Sequence, residues 1–97
     1  MKEGMKYDKG KRRFSLFPTQ TLYAVLDVLE YGARKYSENN WRKVPDARAR
    51  YFDAALRHLH AWWVGEAFDE ESGHYHLSHA ICCLVFLLSF DLENERL

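Results

Sequence analysis

Residues 72–88 read SGHYHLSHAICCLVFLL. From Ala80 onward the stretch is apolar on nearly every side of a helix, yet His74, His76 and His79 stand at its start. A helix that is apolar all round belongs at the centre of a bundle. The stretch therefore predicts a third helix, from about Tyr75 to Leu92, with a core built from Leu77, Ile81, Leu84, Val85 and Leu88. Upstream, Tyr51, Phe52, Ala55, Leu56, Leu59, Trp62 and Trp63 recur at three- and four-residue steps and predict a second helix. Asp46 is its N-cap candidate and Gly65 its stop. Leu22, Val25, Leu26, Leu29, Ala33 and Tyr36 do the same for a first helix opened by Pro18 and Thr19. SENNWRKVPD (37–46) and EAFDEESG (66–73) have turn chemistry. With no strand pattern, the expectation is all-α: a compact bundle of three main helices behind a basic arm, residues 1–17.

Composition narrows the class. Ninety-seven residues make one domain, 1–97, small enough that a partner copy would help bury apolar surface. With 47% hydrophobic residues the chain can afford a core and is not a disordered one. Fourteen basic residues balance fourteen acidic ones, which argues against a nucleic acid polymer or a membrane surface as partner. Cys82 and Cys83 are adjacent, a spacing that suits neither a disulfide framework nor zinc ligation and fits a reducing cytoplasm. The run Ala80 to Phe90 is too short to span a bilayer, and MKEGMKYDKGKRR lacks the apolar stretch of a signal peptide. A surplus of apolar faces on helices two and three predicts a homo-oligomer, a dimer or higher.

The histidines suggest a site. His76 and His79 are three apart and share a helix face, and His58 shares its face with Ala55 and Trp62. If helices two and three are antiparallel neighbours, Glu66, Asp69, Glu70 and Glu71 lie beside the first turn of helix three. Such a cluster suits a divalent metal, or a phosphate held by imidazolium, Arg57 and helix N-terminal amides. The candidate metal ligands are His76, His79 and Glu66, and the candidate catalytic groups Glu66, Asp69 and His58. The competing reading makes the histidines interfacial groups that cap and hydrogen-bond. For a nucleotide, KYDKGKRR offers Lys9 and Lys11, with Gly10 letting the backbone approach an anion. SENNWRK offers Asn39 and Asn40 to read a base edge, Trp41 to stack and Arg42 to pair a phosphate. Against these stand a solvated tail, turn hydrogen bonds by the asparagines and a core role for Trp41. Lys35 could hold phosphate or merely complement a helix dipole, and Asp53 could orient Arg57 four residues on.

Taken together, KYDKGKRRFSLFP, YGARKYSENNWRK and RYFDAALRHLHAWWVGEAFDEESGHYHLSHAICCLVFLL resemble the N-terminal domain of the phage-type dATP/dGTP diphosphohydrolase family, within the MazG-like all-α nucleoside triphosphate pyrophosphohydrolases. The resemblance runs from Lys6 to about Leu88 and rests on the combination of segments, from Tyr7, Asp8, Gly10 and Lys11 through Asn40, Trp41, Arg57 and His58 to Ser72, Gly73, His76 and His79. It implies a dimerising helical bundle that splits a (deoxy)nucleoside triphosphate between its α and β phosphorus atoms. In the wider superfamily Mg²⁺ is held by Glu-x-x-Glu on one helix and Glu-x-x-Asp on the next. This chain departs from that pattern, with HLSH where Glu-x-x-Asp would open the apolar helix and Arg57–His58 on helix two. Imidazole suits Mn, Co, Ni or Zn better than Mg. Two functions follow, in the cytoplasm of an infected bacterial host: a pyrophosphohydrolase of dATP/dGTP-like purine nucleotides using Mg, Mn or Co, or a non-catalytic sponge, without metal, that sequesters a nucleotide immune signal.

Overall fold

The computed structural model describes residues 3–95. It is built from three helices, α1 (Thr19–Lys35), α2 (Ala47–Trp63) and α3 (His76–Glu95), with 3₁₀ turns at Phe14–Leu16 and Asn40–Lys43. The all-α expectation holds: among the described residues the extended pairing is limited to one bridge between Phe68 and Tyr75. The arm is exposed throughout from Glu3 to Pro18.

Local chemistry explains where the helices stop and start. α1 begins directly after Pro18 and ends with Arg34 and Lys35 in its last turn, cations that complement its C-terminal dipole. Asp46 sits at the N-cap of α2 but makes no side-chain cap bond, which corrects the expected role of its carboxylate. Its backbone is left-handed, with φ 54°, whereas a side-chain cap needs the extended conformation. At the other end, α2 closes in a Schellman motif. Glu66 N–H donates to Ala61 O at 3.0 Å and Gly65 N–H to Trp62 O at 3.1 Å. Gly65 supplies the φ of +109° that the motif needs.

α3 is the spine, because α1 and α2 pack on it rather than on each other. The faces that do so are not those expected. Leu84 is 53% and Leu88 58% exposed, with Leu77 and Val85 also outside, and only Ile81 of the expected set packs against the core. Among the described residues the buried ones are Ala55, His76, Ser78, Ala80, Cys82 and Cys83, with Val25 and Val28 from α1. Small side chains let helix backbones approach closely, so the contacts of α3 select them, Cys82 packing on Val25 and Val28 of α1, and turn the large residues outward. Likewise Leu22, Leu26 and Tyr36 of α1 and Phe52, Leu56, Leu59, Trp62 and Trp63 of α2 lie exposed. The apolar stripes read from the sequence thus belong largely to faces that α1–α3 leave uncovered. One length expectation also changes. The apolar part of α3 is longer than Ala80 to Phe90, and the window His76–Asn94, with mean hydropathy 1.4, is long and apolar enough to cross a membrane by length and composition.

The 37–46 segment is fastened by Trp41. Its ring stacks on Phe86 at 4.7 Å and meets Phe90 edge-on at 5.3 Å, while Tyr51 reaches Phe86 from α2. Arg42 pairs with Glu93 and holds the segment to the far end of α3.

The close α2–α3 contact makes a direct prediction. Ala55 and Ala80 are each 2% exposed, so Ala80→Leu should force the helices apart and cost about 1–3 kcal/mol, read by chemical denaturation.

Candidate functional site

The connection between α2 and α3 builds the site. After the Schellman motif the chain doubles back: Asp69 N–H donates to His74 O at 2.8 Å, Gly73 N–H to Asp69 O at 2.8 Å, and His76 N–H to Ala67 O at 2.9 Å. The last of these satisfies one of the free amides that open α3. Gly73 takes φ +76° to close the turn. Inside it Asp69 forms an Asx turn, its Oδ2 accepting the Ser72 N–H at 2.9 Å. Ser72 Oγ accepts the His74 N–H at 3.2 Å and lies 2.7 Å from His79 Nε2.

Three imidazoles meet where this turn feeds into α3. His58 Nδ1 lies 2.9 Å from His76 Nδ1, and the His58 ring stacks on His79 with centroids 4.5 Å apart and planes 10° from parallel. Asp69 Oδ2 is 3.9 Å from His79 Nε2. Donor atoms of His58, Asp69 and His76 all lie within 4.8 Å of one another. His76 is only 6% exposed, and its Nε2 has no hydrogen-bond partner. Glu66 Oε2 stands 3.5 Å from that nitrogen, outside hydrogen-bonding geometry. Tyr31 of α1 closes the cluster edge-on against His74 and His79.

Beside this cluster opens a cleft of about 1030 Å³ between α1, the 37–46 segment, α2 and the start of α3. It is lined by Lys35, Asn40, Trp41, Arg57, His58, Asp69 and His79, all singled out by the sequence. Other expected residues lie elsewhere. Lys9 and Lys11 are on the exposed arm, outside the cleft lining. Arg42 does not line the cleft either, being paired with Glu93 and laid over the Trp41 ring at 4.3 Å. With Phe86 on one face and that guanidinium over the ring, Trp41 offers its edge rather than a stacking face. Glu66 lines a separate groove of about 450 Å³ shared with Leu56, Arg57, His60, Ala61 and Val64. The imidazole–carboxylate triad with its donor atoms together is His58, Asp69 and His76; of the other expected ligands, His79 stacks on His58 and Glu66 stands 3.5 Å from His76 Nε2. The sequence assigns no role to Ser72, Tyr31, Lys43 or Arg50, of which the last three line the cleft, and does not show the ion pair of Lys35 with Glu71. The Asp-x-x-Ser spacing of an Asx turn was the available signal for Ser72.

Burial sets the protonation states. It lowers the His58 pKa to about 4, helped by the neighbouring His79 and His76, and it lowers His79 as well. Burial alone would raise Asp69, but the Ser72 hydrogen bonds and the nearby histidines outweigh it and hold the carboxyl below its ordinary value. At neutral pH His58 and His79 are neutral imidazoles beside an ionised Asp69. Lys35 keeps its proton more firmly than usual through its bond to Glu71, which is acidified in return.

Fold and cleft together define an all-α bundle with a polar centre built at the start of its most apolar helix. The chain belongs to the family described as dATP/dGTP diphosphohydrolase, N-terminal, whose profile matches residues 1–97. A dATP/dGTP diphosphohydrolase of Salmonella phage PMBT28 is 34% identical over 93 residues, which cover 96% of this chain and 31% of the relative. The chain thus spans about a third of the relative's length. No solved structure matches it.

The depressed histidines make stability depend on pH. Between about 6.5 and about 4 the unfolded chain takes up a proton at His58 that the folded chain refuses. Stability is full above that window and is lost as pH falls through it. In the presence of a chelator the thermal midpoint should drop on acidification from pH 7 to about 4, and His58→Gln should flatten part of that drop.

Proposed function

We propose that this chain takes part in hydrolysing a purine deoxynucleoside triphosphate of the dATP/dGTP kind between its α and β phosphorus atoms. A water oxygen bonds to the α phosphorus as the bond to the bridging oxygen breaks. The products are a monophosphate and pyrophosphate, and one water proton passes to a base. Membership of the family and the name of the phage relative support the reaction class. The observation that carries the reading is that Lys35, Lys43, Arg50 and Arg57 share one nucleotide-sized cleft with His58, His79 and Asp69.

The roles follow from chemistry and position. Arg57 offers a planar fork to phosphate oxygens, and Lys35, steadied by Glu71, adds a second positive charge. Asn40 presents a half-buried amide able to read a base edge. His79, neutral at pH 7 and held by Ser72, receives the proton. A bound divalent cation would neutralise phosphate charge and acidify water. The buried His76 nitrogens and the clustered donors of His58 and Asp69 fit such an ion.

The working unit in this proposal is a homodimer in the host cytoplasm, where Cys82 and Cys83 stay reduced. The support is surface area. The chain exposes 8323 Å², against about 5,800 Å² for a monomeric globule of its mass. Part of the excess is the arm. The rest follows the exposed residues Phe52, Leu56, Leu59 and Trp63 on α2, at the 4-3-4 spacing along which helices pair, and Leu77, Leu84 and Leu88 on α3. Light scattering should give twice the 11.5 kDa chain mass.

The activity test is direct. Purified chain incubated with dATP or dGTP and Mn²⁺, Co²⁺ or Mg²⁺ should release pyrophosphate, and chelator should stop it. Arg57→Ala should lower kcat/KM by about 100-fold while circular dichroism stays unchanged. A nucleotide bound but returned intact would identify a sponge instead, and absence of both binding and release would overturn the nucleotide reading.

A further inference from the structure

We infer that the cluster at the start of α3 is a centre for a first-row transition metal ion, ligated by His58, His76 and Asp69, and that it discriminates against Mg²⁺. The inference deepens the proposed hydrolysis by naming the metal class, but occupancy of the centre does not depend on turnover.

The geometry comes first. Ligands in adjacent positions about 2.1 Å from an octahedral ion stand about 3.0 Å apart. His58 Nδ1 and His76 Nδ1 are 2.9 Å apart. Two N–H groups cannot face each other at that distance, so at least one of these nitrogens already presents its lone pair inward. The Asp69 carboxylate completes a set within 4.8 Å, and its Asx turn fixes where it points, because Oδ2 is tied to the Ser72 amide. The centre is thus assembled from the middle of α2, the connecting turn and the first turn of α3.

A second, independent observation lies on the far side of the His76 ring. That ring is 6% exposed and its Nε2 is buried without a hydrogen-bond partner. An orphaned buried ring nitrogen is costly and calls for an explanation. A metal on Nδ1 places the ring proton on Nε2, and Glu66 Oε2 stands 3.5 Å from that atom. Carboxylate, imidazole and metal in this order is the arrangement that orients ligand histidines and raises their basicity. Glu66 is therefore a positioning residue. The His79 ring, lying flat on His58 with planes 10° from parallel, also fixes the plane of that ligand.

The donor set decides the ion. Two imidazole nitrogens and one carboxylate suit Mn, Co, Ni and Zn, whereas Mg²⁺ demands oxygen and gives up its waters reluctantly. Three protein ligands also leave positions open for water or a phosphate oxygen.

The test uses the whole chain, stripped of metal and freed of chelator, titrated with Co²⁺ and followed by its visible absorption, with Mg²⁺ titrated in parallel by calorimetry. One Co²⁺ per chain should bind, at least about 100-fold tighter than Mg²⁺, with bands of nitrogen ligation. His58→Ala and His76→Ala should each lose that binding, and circular dichroism would show which of them remains folded. Glu66→Gln should weaken Co²⁺ by about 10- to 100-fold with the bands retained, and Glu66→Asp should recover part of the loss. Equal affinity for Co²⁺ and Mg²⁺, or unchanged Co²⁺ binding by a folded His58→Ala, would overturn the inference. Tight Co²⁺ binding without hydrolysis would leave this centre standing and sink the proposed reaction. Hydrolysis with Mg²⁺ and no Co²⁺ site would do the reverse.

Discussion

Everything at this site depends on how closely α2 approaches α3. Ala55 of α2 and Ala80 of α3 are almost wholly buried, and their small side chains suit close packing. Close approach brings His58 against His76 at 2.9 Å and lets its ring stack on His79. Larger residues at either alanine would separate the imidazoles before they disturbed any charged group. The same contact places Tyr31 of α1 at the edge of the cluster, because α1 packs on the other flank of α3. Packing and chemistry are here one constraint, since the helix seam that makes the fold also sets the spacing of the histidines.

The fold was legible in the sequence and the packing was not. Turn residues at 37–46 and 66–73, with the periodic stretches between them, give three helices nearly to the residue, because caps and periodicity are local. Burial is a relation between helices, and periodicity does not say which of two apolar faces meets a neighbour. On α3 the Leu77–Leu88 seam is the more hydrophobic, yet the seam of Ser78, Cys82 and Cys83 faces inward. Small size outweighed hydrophobicity, a choice that emerges only once a second helix is in place.

The site divides along the same line. His58, Asp69, His76 and His79 were readable because helical spacing and a short turn force them together. For Trp41 the sequence leaves base stacking and a core role both open, and for Arg42 it does not show the ion pair, because their partners, Phe86 and Glu93, are more than forty residues away. Helix order places Glu66 beside the first turn of α3, but only the Schellman turn at Gly65 sets which nitrogen of the His76 ring it faces.

That turn also bears on how the protein comes to life on the folding path. The imidazoles and Asp69 all lie between His58 and His79, so the contacts among them, leaving aside Tyr31 at their edge, span at most twenty-one residues along the chain. Contacts this local need little loop closure and form fast, ahead of those that tie α1 and the 37–46 segment to α3. The helix–turn–helix unit from α2 to α3 is therefore the natural cooperative unit of the molecule. The cleft acquires its remaining walls afterwards, so motions that loosen α1 open the cleft without dismantling the centre at its base.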